Sequence, residues 1–164
     1  KEIKTAVPFQ SIHTDLVKST MVMFLSEMLH YSIQEEEKNE SLFVFLETAL
    51  TWLDHHDEIS NFHLILLLEI TKYLGFYPDV SEVDLPHFEM NDGVFTLFSG
   101  GNTLSEHETN LLKKLLDLKF DNDQKVFHVL ERQILLKIII DYYSFHLDGF
   151  KKPKSLEILK EVFS

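Results

Sequence analysis

Between Asn61 and Gly75 the chain carries its most restrictive stretch. Leu64-Ile65-Leu66-Leu67-Leu68 is followed by Ile70, with formal charge only at Glu69 and Lys72. A helix that is apolar on nearly every side has no solvent face, so other elements must surround it. It is too short to cross a bilayer. The longest apolar runs, Leu64–Leu68 and Ile138–Ile140, fall far below the roughly 20 residues a span requires. Gly75 suits the left-handed position that ends such a helix, and Pro78 prevents its resumption.

The rest of the chain supplies the surrounding elements. Thr14 is placed to N-cap a first helix whose stripe runs Val17, Met21, Phe24, Leu25, Met28 and Ser32. Asn39 caps a second, with Leu42, Phe43, Leu46, Ala49, Leu50 and Leu53 expected inward and Trp52 beside them. Asn61 caps the apolar third. After Pro78 the helical period stops. His87–Met90 and Val94–Phe98 alternate around Asn91-Asp92-Gly93, which predicts a small β-hairpin over residues 87–98. Ser105 and Glu108 form a capping-box pair that opens a fourth helix, to Leu118. Asp121-Asn122-Asp123 introduces a fifth, from Lys125 to Leu147, which Gly149 ends. Ser155 caps a short sixth with Leu156, Leu159 and Phe163 on one side. The predicted fold is mainly α, six helices with one hairpin insert, in a domain over residues 14–164. Residues 1–13, with Pro8 and no helical period, read as an incoming linker.

Charge narrows the function. Fifteen Lys and Arg against 27 Asp and Glu leave a net charge of −12. That field repels phosphate backbones, which argues against non-specific nucleic-acid binding. Its distribution is uneven. Glu35–Glu58 holds eight acids and one Lys, whereas Phe150–Ser164 holds four Lys and two Glu, so the second stretch is the anion-facing tip. The absence of Cys excludes a disulfide framework, a thiolate zinc site and a cysteine nucleophile. No signal peptide precedes the first helix, and a cytoplasmic location is expected. The first residue is Lys rather than Met, as expected of a fragment or processed chain. Fourteen Phe make aromatic packing the main source of core stability.

Several segments resemble a known family in order and spacing. Tyr142-Tyr143-Ser144-Phe145-His146-Leu147-Asp148-Gly149-Phe150, then Lys154-Ser155-Leu156-Glu157, is similar to the closing signature of RecO recombination mediators. Pro8-Phe9-Gln10-Ser11-Ile12 with Lys18-Ser19 resembles the entry into the RecO helical domain. Phe45-Leu46-Glu47 through Leu53-Asp54 resembles its second helix. Asn61-Phe62-His63-Leu64 through Tyr73-Leu74-Gly75-Phe76-Tyr77-Pro78 resembles the next, as it occurs in the Bacteroidetes branch. Phe88 with Gly93-Val94-Phe95 resembles the β element that follows.

The resemblance implies a non-enzymatic mediator of DNA repair and homologous recombination in the RecF/RecO/RecR pathway, nucleoid-associated during repair. Such a protein acts with RecR, engages the C-terminal tail of the single-strand DNA-binding protein, supports RecA loading and anneals strands. It also implies an N-terminal oligonucleotide-binding fold, absent from this sequence, as the main contact to single-stranded DNA. Many members bind zinc through four cysteines after the Gly-x-x-Pro turn. This chain has none, so the insert is expected to hold by packing, without zinc or another cofactor.

The candidate partner-binding residues lie near the end. Lys151, Lys152 and Lys154 form a basic rim, and Tyr142, Tyr143, Phe145, His146 and Phe150 an expected aromatic pocket beside it. An acidic tail ending in an aromatic residue needs that combination. The alternative is a basic cap offsetting a helix dipole. Arg132 and Lys137 supply further charge on the fifth helix. Asp54-His55-His56-Asp57 reads as a polar helix end, because neighbouring helical residues point about 100° apart. Glu35-Glu36-Glu37 reads as a solvated run, and His63 and His146 as structural histidines. Neither a catalytic constellation nor a metal-ligand pattern is expected. Two other readings stay open: a direct single-stranded nucleic-acid binder with steep salt dependence, and a helical ligand-sensing or dimerisation domain.

Overall fold

The computed structural model describes residues 9–33, 39–121 and 126–163. Along the chain come α1 (Leu16–Ser32), α2 (Glu40–His55) and α3 (Phe62–Leu74), then strands β1 (His87–Glu89) and β2 (Val94–Thr96). After them come α4 (Glu106–Leu116), α5 (Val129–His146) and α6 (Leu156–Val162). Helix α3 is the axis: every residue from Phe62 to Leu68 is buried, and α1, α2, α4 and α5 all pack against it. It ends where the sequence predicts, with Gly75 at φ 92° and the N–H groups of Gly75 and Phe76 both donating to Thr71 O at 3.0 Å.

The predicted stripe of α1 is buried from Met21 to Ser32. Its cap is Asp15 rather than Thr14, with the carboxylate accepting from Lys18 N–H at 3.0 Å. On α2 the Asn39 cap is present, but Phe43 is 67% exposed. Leu42, Ala49 and Leu53 already lie on one face, and Phe43 stands about 100° round from Leu42. The capping box of α4 forms as expected, though the helix stops at Leu116. Helix α5 starts at Val129 instead of Lys125, because Phe127 turns into the core and Glu131 takes the His128 N–H at 3.1 Å. The expected connection Glu35–Lys38, and Asn122, Asp123 and Lys125, lie outside the described residues. Ser155 does not cap α6 with its own side chain. Instead Glu27 of α1 accepts the N–H groups of Lys154 and Ser155 at 2.7 and 2.8 Å.

Residues 9–15 lie on the helical body. Asp54, only 5% exposed, accepts the N–H groups of Gln10, Ser11 and Ile12 at 2.7, 2.7 and 3.1 Å. The buried Lys18 ammonium donates to Ser11 Oγ at 2.7 Å and to Asp54 O at 3.2 Å. Burial works to raise the Asp54 carboxyl, but the three N–H donors and the Ser11 hydroxyl outweigh it and bring it down to about 2.

The insert carries a second, smaller core of Phe88, Met90, Phe95, Leu104, Leu112, Ile138 and Tyr142. Phe88 pairs with Phe95 across the strands, and Phe88 N–H donates to Thr109 Oγ1 at 3.1 Å. Packing and backbone hydrogen bonds therefore hold this region. Gly93 turns the hairpin at φ +66°, and a Cβ there would lie 2.5 Å from Tyr142 Oη. Gly93→Ala is expected to cost about 1–2 kcal/mol for the left-handed backbone alone, and more because Tyr142 must move. Gly75→Ala meets nothing within 4 Å and should cost only the backbone part. Urea midpoints of the two variants test this, and equal losses would show that Tyr142 yields freely.

Candidate functional site

The aromatic residues near the chain's end do not open a socket. Tyr143 is fully buried and donates its hydroxyl to Leu67 O, while Tyr142 donates to Phe76 O. Burial pushes both phenols upward, so they remain neutral donors. His146 lies flat on Phe76, with ring centroids 5.1 Å apart, and its Nε2 meets Met90 O at 2.9 Å. Phe150 packs against Tyr31 and Tyr143. Of the five, Phe145 alone is exposed, at 44%. The expected pocket is thus a packed seam joining α5, α3 and the hairpin, with about 10 Å³ free where Tyr142 and Tyr143 meet Thr71, Phe88 and Ile139, too little for a ring. Lys151, Lys152 and Lys154 are exposed beside it, and Lys137 pairs with Asp141 at 2.7 Å.

An open cleft lies instead between the starts of α3 and α5 and the far end of α6. Its floor is His63, Leu136 and Leu159, and its sides include Val129, Arg132, Gln133, Lys160 and Phe163. It follows from the chain's local rules. Helix α5 turns Leu136 inward and leaves Arg132 at the rim, anchored by a 2.7 Å bond to Phe127 O. Helix α6 buries Leu159 and places Lys160 beside it. Free space amounts to about 20 Å³, room for water-sized guests.

Electrostatics give the cleft its character. His63 is 3% exposed and its Nδ1 has no hydrogen-bond partner among the described residues. Burial, and then the nearby Arg132 guanidinium, push the imidazole down to about 3, so it is neutral. The Phe163 ring covers it, with centroids 5.2 Å apart. Among the described residues Arg132 has no carboxylate partner, and Lys160 meets Glu157 only at 3.4 Å on the surface. Two cations over an apolar floor can receive a carboxylate attached to an apolar side chain.

Arg132 was legible as a candidate from sequence. His63 read only as a structural histidine. Phe163 read as part of the apolar side of the last helix, Lys160 only as part of the basic bias of the last fifteen residues, and Gln133 carried no signal. Asp54 read as part of a polar helix end, whereas it faces inward. His55 and His56 do stand outward, each ring bonding the carbonyl four residues back. Among the described residues no group of three His, Asp or Glu could hold a metal, and no helix is long and apolar enough to cross a membrane.

Residues 13–157 match the family described as Recombination protein O C terminal. The chain belongs to the RecO family. The DNA repair protein RecO of Flavobacterium johnsoniae is 85% identical over the whole chain, which spans 69% of that relative. Those of Christiangramia forsetii and Phocaeicola vulgatus are 45% and 36% identical, over 99% and 100% of the chain and 69% and 70% of their own lengths. No solved structure matches. The RecO assignment agrees with the helical architecture and the hairpin. Among the described residues the strands are those two alone.

Proposed function

We propose that this RecO-family chain serves DNA repair and homologous recombination as a protein-binding module. Its cleft between α3, α5 and α6 receives the acidic, aromatic-ended tail of the single-strand DNA-binding protein. The observation that carries this is the pairing of Arg132 and Lys160 over an apolar floor, on a chain whose net charge is −12. An acidic segment is repelled by most of that surface and attracted only where cations gather. The aromatic end enters the cleft, and the acidic stretch runs back along α6 toward Lys154, Lys152 and Lys151. From Lys160 back to Leu156, where α6 starts, is about 6 Å of helix, and Lys154 lies two residues before that start. Engagement of RecR, support of RecA loading and strand annealing complete the role, with single-stranded DNA held mainly by the family's oligonucleotide-binding fold.

Fluorescence anisotropy with a labelled acidic peptide ending in Phe tests the reading, with labelled single-stranded DNA alongside. Binding is expected, and loss of the terminal Phe should weaken it, because the ring no longer seats the adjoining carboxylates. Lys160→Glu should weaken it by about tenfold and Lys152→Glu by less. Both should leave stability within about 0.5 kcal/mol, since they change surface charge. Equal binding by the Lys160→Glu variant would move the site elsewhere. Salt-sensitive DNA binding without peptide binding would favour a direct nucleic-acid role.

A further inference from the structure

The cleft as it stands cannot hold an aromatic side chain. An apolar cavity that admits benzene is on the order of 150 Å³, and here about 20 Å³ is free. Some lining residue must leave before a ring can enter. Leu136 and Leu159 are 4% and 1% exposed within helices, and His63 belongs to the central α3. Phe163 differs. It is the residue after the last turn of α6, partly exposed, and its N–H bonds back to Leu159 O at 3.1 Å. The rest of α6 is pinned from its other end by the two Glu27 hydrogen bonds and by buried Leu156 and Leu159. Displacing Phe163 therefore needs only the last turn to move.

We propose that Phe163 is a displaceable lid, a ring of the chain's own that fills the aromatic seat over His63 until a partner's ring replaces it. The inference rests on the cleft being the seat of an aromatic-ended acidic partner. What Phe163 vacates is the outline of one phenyl ring, floored by the His63 imidazole. The exchange is ring for ring, so the apolar burial gained by the guest is largely the burial lost by Phe163. The net driving force then comes from the guest's carboxylates meeting Arg132 and Lys160. Peptide binding by the native chain should accordingly depend steeply on salt, while apolar uncharged guests bind weakly.

Phe163→Ala tests the lid through two independent readouts on the full chain. The first is the His63 imidazole, followed by NMR as pH is lowered. The charged groups facing it are Arg132 of α5 and Lys160 of α6, both unchanged in the variant. In the native chain the ring stays neutral down to about pH 4, whereas in the variant water reaches it and its titration rises by about one pH unit or more. The second is affinity for the acidic Phe-ended peptide. It should tighten by about three- to tenfold, because the closed state no longer competes.

An unchanged His63 titration overturns the lid by showing that Phe163 does not cover the imidazole, and weaker peptide binding overturns it by making Phe163 a fixed wall. A shifted His63 with no peptide binding in either form leaves a cover without a guest and overturns the exchange. Phe163→Leu, which keeps apolar cover for α6, should give smaller changes in the same directions. Far-ultraviolet circular dichroism confirms that both variants are folded.

Discussion

Stability against urea is expected to fall by about 3 kcal/mol between pH 6.5 and pH 4, with His63 responsible. Its ordinary value is 6.5 and its value in the fold is about 3. Protons therefore bind the unfolded chain first. The contribution is fully present above pH 6.5 and is lost as pH falls toward the folded value. His63→Leu should flatten the slope over this range. A variant that keeps the native slope would show that His63 is already reachable by protons in the folded chain. Asp54 acts in a lower window, by the same sign. Its carboxyl lies at 3.8 when free and at about 2 in the fold, so its contribution disappears between about pH 4 and pH 2. Hydrogen exchange at Gln10, Ser11 and Ile12, whose N–H groups it accepts, should quicken there before the α3 amides do.

Leu67→Ala should cost about 2–5 kcal/mol, far more than Leu16→Ala, which should stay within about 0.5 kcal/mol. Leu67 is fully buried at the middle of α3, with helices around it and no solvent side into which neighbours could relax. Its carbonyl also receives the Tyr143 hydroxyl, so a shift of α3 strains a contact to α5. Leu16 is 71% exposed at the first position of α1. Urea titrations should show a lower midpoint at unchanged m for Leu67→Ala. A loss below 1 kcal/mol would mean that the surrounding helices close over the missing methyls.

The correspondence between sequence and structure divides by distance along the chain. The Asn39 cap, the Ser105–Glu108 box, the left-handed Gly75 and the hairpin turn at Gly93 all involve residues within a few positions of one another. The register errors at Asp15 and Val129 are local too. In each a neighbouring residue offered a competing start: an acid beside Thr14, and Phe127, which the core claimed before the helix began.

The long-range roles escaped. Ser11 meets Asp54 across 43 residues, and Tyr143 meets Leu67 across 76. Nothing near Asp54 in the sequence separates a buried receptor of backbone N–H groups from an exposed helix end. Likewise Tyr142, Tyr143, His146 and Phe150 have the composition of a pocket, and only their packing shows how little room is left among them. The sequence alone determined the set of helices, the centrality of α3 and the basic bias around α6, because period, caps and charge are local properties. The tertiary structure decided how tightly the aromatic cluster packs and where the roomier cleft lies. That depends on how closely distant helices approach, and on which side chains fill the space left between them.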